Sequence, residues 1–186
     1  MNIDKLISIL LENKPSEKIK QNEDYMFSLI PELKLCKGFN QNNPWHIYDV
    51  YEHVLHVIDG VPNTLELRLA ALFHDLGKPF VYTEDDMGIG HFYQHWLKSN
   101  AIFIAFANRY SLDSNLIKIV SKLILYHDQH LEKYSQDEIA DFILKFNKEE
   151  IKMLYNLKRS DLLAQSMKYR YLLKNYDQEE TKFLNY

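Results

Sequence analysis

The sequence predicts an all-α protein folded as a single compact helical domain, on three observations. Apolar residues recur at three- and four-residue spacing along most of the chain, the signature of helices that bury one face. Helix breakers are scarce, 5 Gly and 5 Pro in 186 residues, and they sit in short clusters, which disfavours a sheet stitched by many turns. No stretch of useful length alternates apolar and polar residues as a half-buried strand would.

The elements follow in order. Ile3, Leu6, Ile7, Leu10 and Leu11 define a first helix. Pro15 opens a new segment with Ser16 as N-cap, expected to reach Leu29 before Pro31 interrupts it. Residues 36–44, with Gly38 and an Asn/Gln cluster, read as loop. A helix is expected from Ile47 to Ile58, ended by Gly60-Val61-Pro62. Asn63 or Thr64 caps the next, whose apolar run ends at Phe73. Gly77 is expected to stop that helix as a C-terminal glycine. Residues 78–90 read as a polar loop, followed by helices over 91–110, 113–126 and 135–146. Asn147 with Glu150 is a capping-box pattern opening another helix, and the tail over 166–186 reads as helical and polar. Phe103, Phe106, Tyr110, Phe142 and Phe146 fall at helical spacing and are expected in the core.

Composition narrows the function classes. Hydrophobic residues make up 46% and charged residues 26%, enough for a core without covalent staples. Cys36 is the only cysteine, which excludes a disulfide framework and a cysteine-based zinc site and suggests a reducing compartment. A net charge of −4 gives no support to nucleic-acid binding. No apolar run is long enough to span a membrane, and MNIDKLISILLENK reads as an amphipathic helix rather than a signal peptide. A soluble cytoplasmic protein without membrane partners is the expectation. Gly88-Ile89-Gly90 lacks the context of a dinucleotide fingerprint, and no P-loop, GxSxG or HExxH motif occurs.

The chemistry lies in the histidines: His46, His53, His56, His74, His91, His95, His127 and His130. Neutral imidazole is a good ligand for borderline divalent ions. His74-Asp75 closes an apolar helix, where the pair either caps the helix end or sits at an embedded site. Asp49 and His53, four residues apart, share a helix face, so that His53 could ligate while Asp49 orients a neighbour. Asp161 follows an amphipathic stretch.

In order, His53, His74-Asp75 and Asp161 resemble the H…HD…D signature of the HD-domain metal-dependent phosphohydrolases. The phrases NNPWHIYDVYEHVLHVID, LRLAALFHDLGKP, GHFYQHWLKSNA, LILYHDQH and KRSDLLAQ resemble most closely the HD region of bacterial CCA-adding tRNA nucleotidyltransferases and their free-standing relatives. That resemblance implies an HD domain over residues 31–166, an N-terminal helical extension over 1–30 packed on it, and a C-terminal helix over 167–186. It implies His53, His74, Asp75 and Asp161 as ligands of a divalent ion (Mn, Fe, Co, Ni, Zn or Mg). It further implies His95 and His127 as ligands of a second, with His91 and His130 as rivals and the small Ser99 leaving room beside His95. Asp75 is the expected bridging ligand, and Lys78 matches a phosphate-contacting lysine. The nucleotidyltransferase head, a Gly-rich loop before paired carboxylates, is missing, so CCA addition is not expected. The implied activity is phosphomonoester or phosphodiester hydrolysis of a small nucleotide-like or 2′,3′-cyclic phosphate. The alternative is a non-catalytic metal-binding scaffold or RNA-associated module.

Overall fold

Prolines and one asparagine set the lengths of the helices that open the chain. In the computed structural model, which describes residues 3–186, α1 spans Asp4–Leu10, α2 Pro15–Gln21, α3 Glu23–Leu29 and α4 Pro31–Cys36. Pro15 and Pro31 occupy first-turn positions, where a missing N–H costs nothing. Pro31 therefore starts a helix rather than interrupting one. The single helix expected up to Leu29 is instead two, broken at Asn22 (φ −125°, ψ 30°). Ser16 is not its cap. The Ser16 amide and hydroxyl donate to the Asp59 carboxylate at 3.0 and 2.6 Å, fastening α2 to the far end of the helix that follows α4.

The helices that carry the site come next. α5 (Val50–Gly60) starts three residues later than expected, because Asp49 caps it. One Asp49 oxygen accepts from the Glu52 amide at 2.7 Å and the other from the Gly38 amide at 2.7 Å. Asp49 thus closes a helix end and does not orient a neighbouring ligand, a correction to its expected role. α6 (Leu65–Phe73), capped by Thr64, is buried at every residue from Leu67 to Phe73 and packs against α1, α5, α8, α9 and α11. Such a central helix is apolar all round, as α6 is, except for Glu66 in its first turn and Arg68.

Gly77 does not end α6 in the left-handed manner; its φ is −76°. α6 ends three residues earlier with His74 as C-cap, and glycine is needed at 77 for space. A Cβ there would press on the His95 carbonyl and lie 2.6 Å from the Ser99 amide nitrogen. The expected loop over 78–90 contains a single helical turn, α7 (Lys78–Val81), and a short antiparallel pair. In it β1 (Thr83–Glu84) sets Thr83 opposite His91 and Glu84 opposite Gly90 of β2 (Gly90–His91). α8 (His95–Arg109) accordingly begins at His95 and not His91, after Gln94 in a left-handed conformation.

α9 (Ser114–Tyr126) is capped by Asp113. α10 (Gln136–Lys145) and α11 (Lys148–Leu163) open on capping boxes, Ser135/Glu138 and Asn147/Glu150. A 3-10 stretch (Met167–Leu172) leads into α12 (Leu173–Leu184), which packs on α11. Phe103, Phe106, Phe142 and Phe146 are buried, and Tyr110 packs partly buried against them. Each fully buried ring is worth about 2–3 kcal/mol relative to exposure. Cys36 is buried and unpaired, and burial raises its thiol pKa, so it stays a thiol. Among the described residues, no helix is long and apolar enough to cross a membrane.

Candidate metal centre

Five helices bring their ends or inner faces to one point. His53 comes from the middle of α5, His74 is the C-cap of α6 and Asp75 follows it. His95 is the first residue of α8, His127 the C-cap of α9, and Asp161 lies near the end of α11. The first five are buried and Asp161 is partly so.

Asp75 is the hub. Its Oδ2 lies 3.3 Å from His53 Nε2, 3.3 Å from His74 Nε2 and 2.7 Å from Lys78 Nζ. Its Oδ1 lies 3.1 Å from His95 Nε2 and 3.7 Å from His127 Nε2. Asp161 Oδ1 approaches His53 Nε2 to 3.0 Å. The carboxylate therefore separates two groups: His53, His74 and Asp161 on one side, His95 and His127 on the other. The rivals lie outside both. His91 pairs with Asp85 at 3.1 Å on the hairpin, and the exposed His130 pairs with Glu132 at 3.1 Å.

The imidazoles are aimed by local bonds of one pattern. His74 Nδ1 lies 2.8 Å from the Ala71 carbonyl, His95 Nδ1 3.0 Å from that of Phe92, and His127 Nδ1 2.7 Å from that of Ile124. A carbonyl only accepts, so each Nδ1 carries the proton and each Nε2 turns a lone pair inward. His95 and His127 then face each other, Nε2 to Nε2, at 3.2 Å, beside a carboxylate oxygen. Neither Asp75 oxygen accepts a well-formed hydrogen bond from any described residue. Converging acceptors without donors are costly when buried, and a cation removes that cost. The donor set, imidazole nitrogen and carboxylate oxygen, suits a divalent transition ion. The sets His53/His74/Asp161, His74/Asp75/His127 and His46/His53/Asp75 each bring ligand atoms within 4.8 Å of one another.

Electrostatics keep the carboxylates charged. Burial would raise the Asp75 pKa, but His74 and Lys78 outweigh it and hold the group well below the usual range. Burial is likewise outweighed at Asp161 by the hydrogen bond from His53. His53 moves the other way: burial opposes its charge, yet Asp161 and Asp75 pull it up to about 9. Burial lowers His127.

Ser99 was expected to leave room beside His95. Its hydroxyl accepts from the Gly77 amide at 2.9 Å, which seats α8 on the turn after Asp75. His46, one of the eight histidines, has no role assigned from the sequence, and Gln41 and Lys158 are not singled out there at all. His46 sits 3.2 Å from Lys78 Nζ, and burial and Lys78 lower its pKa to about 2. Gln41, in the expected loop, accepts from Lys78 at 2.9 Å. Lys158 is buried and donates to the carbonyls of His127 and Gln129, both at 2.8 Å, tying α11 to the end of α9. Its position one turn before Asp161 on the same face was the only trace in the sequence.

A cavity of about 520 Å³ opens over the cluster, with Asp75, Lys78, His95, His127 and Asp161 in its lining beside Trp45, Phe92, Tyr93, Trp96 and Tyr176. Titratable groups lining such a cavity are the expected place for chemistry. No curated protein matches the chain. A family model, the HD domain, matches residues 46–168, about two thirds of the length. The match runs from the histidine beside Lys78 to just past Asp161, enclosing the whole His/Asp cluster, and the chain belongs to the HD domain family.

Proposed function

We propose that the protein is a metal-dependent phosphohydrolase, a phosphomonoesterase or phosphodiesterase acting on a small nucleotide-like or 2′,3′-cyclic phosphate. The observation that carries this reading is Asp75, whose two oxygens face separate groups of imidazoles at the base of a cavity. His53, His74, Asp75 and Asp161 would hold one divalent ion, and Asp75, His95 and His127 a second. Such ions polarise a phosphoryl oxygen and bring the pKa of a bound water down toward about 7. Lys78 supplies positive charge for the phosphate from the cavity wall, an oxyanion-type contribution. Aromatic residues around the opening suit a planar base, which supports a nucleotide-like substrate. The buried, unpaired Cys36 goes with a reducing, cytoplasmic setting.

The test is turnover by purified protein loaded with each candidate ion. Substrates are a generic phosphatase ester, a phosphate bis-ester and 2′,3′-cyclic nucleotides. Turnover with at least one ion is expected, together with its loss in Asp75→Ala. No turnover with any ion, or unchanged turnover in Asp75→Ala, sinks the proposal. The narrower resemblance to the HD region of CCA-adding enzymes favours an RNA-associated scaffold instead. The net charge of −4 weighs against that second reading.

A further inference from the structure

Lys78 commits two of its three N–H groups to neutral acceptors. An ammonium offers three donors. The Lys78 Nζ has three polar neighbours: Asp75 Oδ2 at 2.7 Å, Gln41 Oε1 at 2.9 Å and His46 Nε2 at 3.2 Å. The side chain is buried, so the arrangement is not a passing surface contact. Only Asp75 among the three carries charge. Gln41 is neutral, and so is His46, because its Nε2 accepts and therefore carries no proton.

Both neutral acceptors are oriented by further bonds. His46 Nδ1 lies 2.8 Å from Asn43 Oδ1, which also accepts from the backbone amides of Trp45 and His46. That fixes the proton on Nδ1 and the lone pair on Nε2, facing Lys78. Gln41 Nε2 donates to the Tyr48 carbonyl at 3.3 Å, which turns Oε1 toward Lys78. The segment carrying both is fastened to the hairpin, since the Gly90 amide donates to the Asn42 carbonyl at 2.8 Å.

We propose that His46 and Gln41 are positioning residues that hold the Lys78 ammonium at the cavity wall without neutralising it, so that it can serve a substrate phosphate. The inference rests on the phosphohydrolase reading. An acidic residue in either place would cancel the charge the phosphate needs. Two neutral acceptors fix the direction of the ammonium and leave its charge intact. The bonds to Gln41 and His46 set the direction of the third N–H, which makes no well-formed hydrogen bond to Asp75 Oδ2 although the two atoms form an ion pair at 2.7 Å, and that third donor is the one offered to a phosphate. The ammonium at 3.2 Å also sets His46 apart from the ligand histidines, since a metal ion on the same Nε2 would face a like charge.

The experiment uses the full chain, loaded with a divalent ion, and inorganic phosphate as probe. His46→Phe keeps a ring and removes the acceptor. His46→Gln keeps an acceptor and a donor. Calorimetric titration is expected to give phosphate binding weakened about tenfold in His46→Phe and restored to within about twofold in His46→Gln. In a Lys78→Met background, His46→Phe is expected to change phosphate affinity by less than about twofold, since its effect runs through the ammonium. Elemental analysis is expected to give the wild-type ion content in His46→Phe. Nitrogen-15 NMR of the imidazoles is expected to find His46 protonated on Nδ1 alone. Loss of an ion in His46→Phe makes His46 a ligand and overturns the proposal. So does an undiminished effect in the Lys78→Met background, or no phosphate binding by the wild type. The phosphate titration needs no turnover, so it stands apart from failure of the hydrolase reading. Turnover that His46→Phe leaves untouched, with phosphate affinity also unchanged, sinks this inference alone.

Discussion

The two sides of Asp75 are built differently. On the Oδ2 side, His53 comes from the interior of α5, and Asp161 brings a second carboxylate from α11. α5 and α11 pack directly on each other. On the Oδ1 side, His95 and His127 come from the first residue of one helix and the cap of another, and the further carboxylate near them, that of the half-exposed Asp128, lies 4.0 Å from the outer Nδ1 of His95 rather than beside the inward Nε2 atoms. One side thus has a charged pair of its own within a helix–helix contact. The other depends on the shared oxygen and on what seats two helix ends: Gly77, Ser99 and Lys158. A tight ion site and a weaker one are the physical expectation, because carboxylate charge sets much of the affinity for hard and borderline ions.

The sharpest way to break this comparison is to remove one ligand from each side. Asp161→Asn is expected to weaken the tighter ion by at least about a hundredfold, and His127→Phe to remove only the weaker equivalent. Calorimetric ion titration with elemental analysis reads both. If His127→Phe strips every ion, the sides are one site and the comparison fails. Next in size is Gly77→Ala, which forces a methyl group against the backbone of His95 and Ser99. A loss of about 3 kcal/mol in denaturant unfolding is expected, with the weaker ion lost before the tighter one. Equal loss of both would mean that the turn supports both sides alike. The smallest effect belongs to Ser99→Ala, which leaves the buried Gly77 amide without its acceptor. That should cost about 1–2 kcal/mol and shift the ion affinity of the His95 side by less than tenfold. An unchanged midpoint would show that water replaces the hydroxyl.

Much of the fold was legible because helices announce themselves locally. The capping boxes at Ser135 and Asn147 and the cap at Asp113 depend on residues within one turn, and the helix starts follow them. The break at Asn22 was not legible, since an asparagine inside an apolar period is tolerated in many helices. Gly77 was misread for a related reason. A glycine after a helix has two uses, a left-handed turn or a close approach, and only the neighbour across the fold tells which. At the site, His53, His74, Asp75 and Asp161 were legible through their resemblance to the H…HD…D signature, since each alone reads as an ordinary core or helix-end residue. The resemblance favoured His95 and His127 and kept His91 and His130 as rivals, and the third dimension separates them, with His91 paired to Asp85 on the hairpin and His130 to Glu132 at the surface. Gln41 and Lys158 carried no chemical signal in the sequence. Each acts through one or two hydrogen bonds to partners 29–37 residues away.

The repeated bond from an imidazole to the carbonyl three residues before it has a thermodynamic consequence. His74, His95 and His127 are oriented by their own stretch of chain, so their rotamer entropy is lost when the local helix ends form. His53 is the exception, for its Nδ1 meets no hydrogen-bond acceptor among the described residues. Three rings are therefore aimed by their own stretch of chain, whereas His53 takes its direction from the carboxylates of Asp75 and Asp161, which other parts of the chain bring to it.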